Sequence, residues 1–126
     1  MPARQRPGTA TALVPDQPTS LLGCRYHGFN QAEPHGSLAN SRQLDQSDIA
    51  AQLNRVAIPS PDAPVPNCPA DFGEQYALWF GYADSSTLLV TVDGAGCAYA
   101  DNGDLTVPFA NAALTSLQAA LGHDSQ

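Results

Sequence analysis

The segment from Gln75 to Phe109 constrains the fold most, because it predicts consecutive antiparallel strands joined by short turns. Large apolar side chains alternate along residues 75–83, so that one strand face carries Tyr76, Leu78, Phe80 and Tyr82. Trp79 falls on the other face. Turn residues follow at Asp84-Ser85-Ser86, at Asp93-Gly94 and at Asn102-Gly103, and the last pair is a strong signal for a type I′ hairpin. The segment therefore predicts part of a meander of four or five strands.

Two more strands and two amphipathic helices complete the predicted order ββαβββα. The strands are expected at residues 19–29 and 37–44. The helical spacing of Ile49, Leu53, Val56 and Ala57 predicts one helix, which stops before Pro59. The spacing of Leu114, Leu117 and Leu121 predicts a second helix, from Asn111 to Leu121. Asp45 or Ser47 is the expected N-cap of the first helix, Asn111 caps the second, and Gly122 ends it. The fold class is α+β, a two-layer sandwich in which both helices cover one face of an antiparallel sheet.

The chain has room for one domain within its 126 residues. Residues 1–18 contain Pro2, Pro7, Pro15 and Pro18 and show no apolar period, which is typical of a flexible tether. We expect the α+β domain at residues 19–121 and a frayed tail at residues 122–126.

The charge balance excludes several functions. Twelve acidic residues stand against five basic ones, none of them lysine, and the formal net charge is -7. Such a surface repels phosphate backbones and anionic headgroups, so nucleic acid and membrane-surface binding are not expected. No segment approaches the ~20 apolar residues needed for membrane insertion. The start at Met1 suits either a native cytosolic N-terminus or the remnant left when a signal peptide or anchor is removed.

The chain has three cysteines, Cys24, Cys68 and Cys97, so one internal disulfide leaves one free thiol. Cys68 and Cys97 are the predicted pair, since their bond joins a proline-rich loop to the sheet. The alternative, in which all three cysteines are reduced, stays open, and so does the identity of the unpaired one. Cys24 lies near His27, but on a strand the two point to opposite faces, which argues against a catalytic Cys-His pair.

Metal and cofactor sites have weak sequence support, and no cofactor is expected. No His or Cys spacing completes a tetrahedral zinc site. Oxygen ligands suited to calcium gather at Asp101, Asn102 and Asp104, with Asp93 in a neighbouring turn, but the EF-hand spacing is missing. Turn formation by Asp and Asn is the simpler interpretation.

Short motifs between Thr19 and Leu121 carry a resemblance to other proteins. They are Cys24-Arg-Tyr-x-Gly28, Cys68-Pro-x-Asp71-x-Gly73, Tyr76-x-Leu78-x-Phe80-x-Tyr82, Gly96-Cys97 and Asn102-Gly103. Their succession resembles a group of uncharacterised secreted or lipoprotein-anchored domains from high-GC Gram-positive bacteria. The resemblance implies an exported location, extracellular or at the cell surface, and it implies no reaction. A lipoprotein anchor needs a lipobox cysteine near the N-terminus, and this sequence shows none before Cys24.

The leading functional hypothesis is a non-catalytic exported domain that binds a protein partner or small ligand through the sheet face left bare by the helices. Trp79, Arg25 and His27 are its candidate binding residues, because Trp and Arg often anchor interfaces. In the opposite interpretation Trp79 belongs to the core. An enzyme is the first alternative, with Cys24 as nucleophile or with Asp71 and Glu74 as a carboxylate pair if that segment is helical. A calcium-stabilised structural module is the second.

Overall fold

The protein is an α+β domain built on one antiparallel sheet of six strands. The structure, a computed structural model, describes residues 7–26, 38–60, 62, 74–94 and 96–122. The elements are β1 (Ser20–Tyr26), β2 (Leu38–Gln43), α1 (Gln46–Asn54), β3 (Gln75–Gly81), β4 (Thr87–Asp93), β5 (Ala100–Asp101), β6 (Thr106–Val107) and α2 (Asn111–Leu121). Their order in the sheet is β2-β1-β3-β4-β5-β6. The predicted fold class is confirmed, with one strand more than expected because the hairpin at Asn102 separates β5 from β6.

The sheet has two different faces, set by the alternation along each strand. One, the helix face, is buried across its central strands, and its buried strand residues include Leu21, Tyr76, Leu78, Phe80, Leu88, Val90 and Val92. Both helices supply side chains to the same core, namely Ile49, Leu53, Leu117 and Leu121. The other face, the open face, carries the intervening residues of each strand. The predicted alternation of β3 is confirmed, because Tyr76 and Phe80 are buried while Trp79 is 41% exposed.

Gly23 allows the chain to pack closely on the helix face of β1. A Cβ atom at this position would lie 2.6 Å from Leu44 Cδ1 and 3.1 Å from Leu121 Cδ1. Any larger residue would therefore push α2 and Leu44 away from the sheet. A glycine in the middle of a strand here marks a site of close approach.

The helix boundaries confirm some capping predictions and correct others. The Asp45 carboxylate accepts the Asp48 amide at 3.1 Å, as expected of an N-cap. However, α1 ends at Asn54, so Val56 and Ala57, which were predicted to belong to this helix, lie beyond its end. Asn111 is the first residue of α2 and not its cap, since Ala110 takes that position without a side-chain hydrogen bond. Gly122 ends α2 with a positive φ of 82°, as predicted.

The expectation that residues 1–18 form a tether is wrong for the described part of that range. Leu13 and Val14 are buried in the core, 3% and 1% exposed. The Asn54 amide binds the Val14 backbone twice, accepting from N at 3.0 Å and donating to O at 3.0 Å. The Tyr82 hydroxyl donates to Pro15 O at 2.8 Å. Polar side chains of the domain thus hold this segment in place.

Asn102 is the third anchor of the N-terminal segment. It is 1% exposed, and its Nδ2 donates to the carbonyls of Thr9, Ala12 and Leu13 at 2.9, 3.1 and 3.2 Å. Its Oδ1 accepts the amides of Asp104 and Leu105. The hairpin lies where predicted, but its turn is not type I′. A type I′ turn needs a positive φ at both central residues, and here only Gly103 has one.

Candidate binding face

An exposed apolar group lies on the open face, and the strand register assembles it. Leu22 of β1 stands opposite Trp79 of β3, and Trp79 stands opposite Leu89 of β4. Leu22 and Trp79 are each 41% exposed, and Leu89 is half-buried. Side chains directly opposite on neighbouring strands are in contact range. We call these three residues the apolar patch.

Small side chains lie beside the apolar patch, two positions further along each strand. Cys24, Ala77 and Thr91 are opposite one another there. Cys24 is 7% exposed and Ala77 is 9% exposed. The open face is therefore exposed at the apolar patch, whereas Cys24 and Ala77 in the neighbouring row are buried.

The open face carries the acidic residues of the described strands. Asp93 follows Leu89 and Thr91 on the same side of β4, and Asp101 pairs with Thr91 from β5. The strand arginines, Arg25 and Arg42, lie on the helix face. The sheet thus separates its positive and negative charges between its two faces.

The prediction that Arg25 lies with Trp79 is wrong. Arg25 pairs with Tyr76, so it extends from the helix face. Its Nη1 lies 3.3 Å from Glu74 Oε2, and its Nε donates to Leu121 O at 2.9 Å. Arg25 is therefore a structural residue. His27 lies outside the described residues.

Four side chains from the sheet hold the C-terminal end of α2. Besides Arg25, Asn40 donates to Leu121 O at 3.2 Å, Arg42 donates to Ala120 O at 3.1 Å, and the Tyr76 hydroxyl donates to Gly122 O at 2.6 Å. These donors satisfy carbonyls that a helix leaves unpaired at its end, and the two cations complement its dipole. The described arginines of the sheet are thus committed to holding α2.

The structure describes two of the three cysteines, Cys24 and Cys97. Of the cysteines that the structure describes, Cys24 carries a free, buried thiol, whereas Cys97 does not. Cys68 lies outside the described residues, so its bond to Cys97 stays a prediction. Within the described ranges no group of three or more His, Cys, Asp or Glu side chains is arranged to hold a metal ion.

Structural contacts occupy Glu74, one of the two carboxylates considered for catalysis, and Asn102, one of the ligands considered for calcium. Glu74 is buried in the ion pair with Arg25 and directly precedes β3, and Asp71 lies outside the described residues. Asn102 uses both its amide groups to hold the hairpin and the N-terminal segment. Neither side chain is available for the role first considered.

Leu22, Leu89, Asp93 and Asp101 were not predicted as binding-face residues. A signal was present, because Leu21-Leu22 and Leu88-Leu89-Val90 are consecutive apolar residues within strands. In a sheet with one solvated face, consecutive apolar residues place one of them on that face. Which of them meet there depends on the register, which sequence alone does not supply.

The comparisons with known proteins identify no relatives. No family model matches the chain, and neither a curated protein nor a solved structure shows significant similarity to it. In the part of the chain that the structure describes, no helix is long and apolar enough to cross a membrane.

Proposed function

We infer that the chain is a non-catalytic binding domain that takes a protein partner or a small ligand on the apolar patch. One observation carries this conclusion: Trp79 stands near the middle of the sheet, 41% exposed, directly opposite the equally exposed Leu22. Single exposed apolar residues are ordinary, but a cluster on a rigid surface is typical of an interaction site. Tryptophan is also the residue type most enriched at interface hot spots.

The rigidity of the surroundings supports this proposal. The strands below the patch are the most extensively paired in the molecule, with β3 hydrogen-bonded to β1 on one side and to β4 on the other. A side chain held on such a platform loses little conformational freedom when a partner binds. Affinity is thus gained without a prior rearrangement.

The enzyme alternative draws less support from the described residues. Cys24 is 7% exposed, whereas a reactive thiol needs access to its substrate. Glu74 is engaged with Arg25. The calcium-stabilised module draws less support as well, because the Asn102 side-chain oxygen already accepts two hairpin amides.

A neutral peptide with an apolar centre tests binding at the patch. We expect acetyl-Ser-Ser-Leu-Phe-Leu-Ser-Ser-amide to shift the NMR signals of the Trp79 indole N–H and of the Leu22 and Leu89 methyl groups. The Trp79→Ala variant should lose this response. Phe109→Ala is the matched control, because it removes another exposed aromatic ring, 55% exposed, from outside the strands. Shifts scattered over the surface, or an equal loss in Phe109→Ala, would contradict the proposed site.

The exported location and the disulfide belong to the same proposal. We propose that Cys68 and Cys97 are joined, as the resemblance to exported domains favours. Two facts support this pairing: Cys24 is free, and Cys97 is not. Disulfides persist in oxidising compartments, so a bonded pair agrees with export.

Alkylation followed by intact-mass measurement and peptide mapping tests the pairing. We expect no label on the native, unreduced protein, one label at Cys24 after denaturation, and three labels after reduction. Burial protects Cys24 in the native state. If Cys68 and Cys97 are both labelled without reduction, the proposed disulfide and the exported location lose their support. If Cys24 reacts in the native state, the enzyme hypothesis becomes the one to pursue.

A further inference from the structure

The two faces of the sheet differ in charge, and the charge of the open face indicates which kind of partner it attracts. Among the described strand residues, Arg25 and Arg42 lie on the helix face, where both donate to carbonyls at the end of α2. The strand aspartates, Asp93 and Asp101, lie on the open face with the apolar patch. From strand spacings, Asp101 lies about 8 Å from Leu89 and Asp93 about 13 Å from it. Asp101 thus lies at the rim of the patch, and Asp93 lies on the same face beyond the row formed by Cys24, Ala77 and Thr91.

We propose that the partner presents an apolar side chain flanked by lysine or arginine residues to the apolar patch. This proposal rests on the proposed function and adds the chemistry of the bound surface. An apolar centre with a charged rim is the usual anatomy of a protein interface. Asp101 and Asp93 attract cations to this face, and a cation that reaches the indole of Trp79 gains a further cation–π interaction. The net charge of -7 strengthens the attraction at long range.

A second copy of the chain fits this surface poorly. In a two-fold symmetric dimer the same patch faces itself, so the rim of one copy meets the rim of the other. Among the described strand residues, the open face of the second copy carries aspartates and no arginine, so it offers no opposite charge to Asp93 and Asp101. The acidic rim therefore favours a different, basic partner.

Three matched heptapeptides test the chemistry of the partner. Each has the centre Leu-Phe-Leu, and the four flanking residues are all lysine, all serine or all glutamate. Binding to the full chain is followed by the fluorescence of Trp79, the sole tryptophan, since the peptides contain none. We expect the lysine peptide to bind about tenfold more tightly than the serine peptide at about 0.01 M salt, and the glutamate peptide to bind most weakly. At about 1 M salt, where the Debye length is about 3 Å, the three affinities should converge.

Two variants locate the effect. Asp93→Asn combined with Asp101→Asn should bring the preference for lysine over serine below about twofold. An amide at each position keeps the acceptor oxygen that binds Gln75 Nε2 or the Gly103 amide. Asp48→Asn is the matched control, because it removes one exposed carboxylate from α1 and should leave the preference nearly unchanged.

Each outcome separates the two proposals. If the serine peptide binds at Trp79 and lysine gives no advantage, the proposed function stands and the basic partner is wrong. Because Trp79→Ala has no tryptophan, its binding is measured by titration calorimetry, with the wild-type chain titrated in the same way. If the lysine peptide binds equally well to Trp79→Ala, the attraction is only to the acidic surface, and both proposals fail for this patch. If the chain dimerises through the patch without peptide, a second copy is the occupant and the basic partner is overturned.

Discussion

Replacing Phe80 with alanine is expected to lower the free energy of unfolding by about 3–5 kcal/mol. Phe80 is fully buried on the helix face, 0% exposed, so its removal leaves a cavity in the core. Trp79→Ala, on the next residue of the same strand, should cost only about 1–2 kcal/mol, because the indole is 41% exposed. The two variants alter neighbouring positions of one strand, and these positions lie on opposite faces of the sheet.

Urea unfolding followed by circular dichroism measures both effects on the same footing. This probe works for either variant, whereas tryptophan fluorescence is lost in Trp79→Ala. A clearly smaller loss for Trp79→Ala also ensures that the variant remains folded for the peptide titrations. Equal losses would place Trp79 in the core and contradict the apolar patch.

Replacing Asn102 with alanine is expected to lower the free energy of unfolding by about 3 kcal/mol, a large effect for a polar substitution. The change removes the donor for the Thr9, Ala12 and Leu13 carbonyls, together with the acceptor for two hairpin amides. Buried backbone groups without partners are costly. The N-terminal segment and the β5–β6 hairpin should loosen together, since one side chain joins them.

Two further variants make this prediction specific. Asn102→Asp has nearly the same shape, yet it should destabilise about as much as alanine because an oxygen replaces the amide nitrogen that faces three carbonyls. Asn111→Ala, an exposed asparagine on α2, should change stability by no more than about 0.5 kcal/mol. Urea unfolding gives the free energies, and amide hydrogen exchange at Leu13 and Val14 reports the loosening. Unchanged exchange in Asn102→Ala would show that other contacts hold the segment.

The alternation of Tyr76, Leu78 and Phe80 was enough to predict that these residues share one face of β3, whereas the structure decided that this face is the buried one. A period of two is a local property, so neighbouring residues contain the whole signal. Asp45, which caps α1, was one of the two predicted N-caps for the same reason, because a cap binds an amide only a few residues away. The stop at Gly122 is likewise local.

The N-terminal segment shows where such local reasoning fails. Its backbone is held by Asn54, Tyr82 and Asn102, and the bond from Asn102 to Thr9 spans 93 residues of sequence. Side chain to backbone bonds of this kind need no apolar period and no particular residue in the segment itself. A proline-rich stretch that is anchored therefore has the same sequence pattern as one that is free.

The candidate site was predicted in part, for a similar reason. The sequence singled out Trp79 and the face on which it lies, but it placed Arg25 there too. Strand register decided otherwise, because pairing Arg25 with Tyr76 and Leu22 with Trp79 puts the two candidates on opposite faces. Leu89 joined the patch through the pairing of β3 with β4.

The sequence by itself determined the fold class, the alternating faces of the central strands and the acidic character of the chain, because each follows from composition or from short periods. Only the tertiary structure decided which residues meet. It brought Leu22, Trp79 and Leu89 together on one face, placed Arg25 between Glu74 and the end of α2, and enclosed Asn102 beneath the N-terminal segment. These outcomes depend on strand register and on contacts between distant residues, and no local pattern encodes either of them.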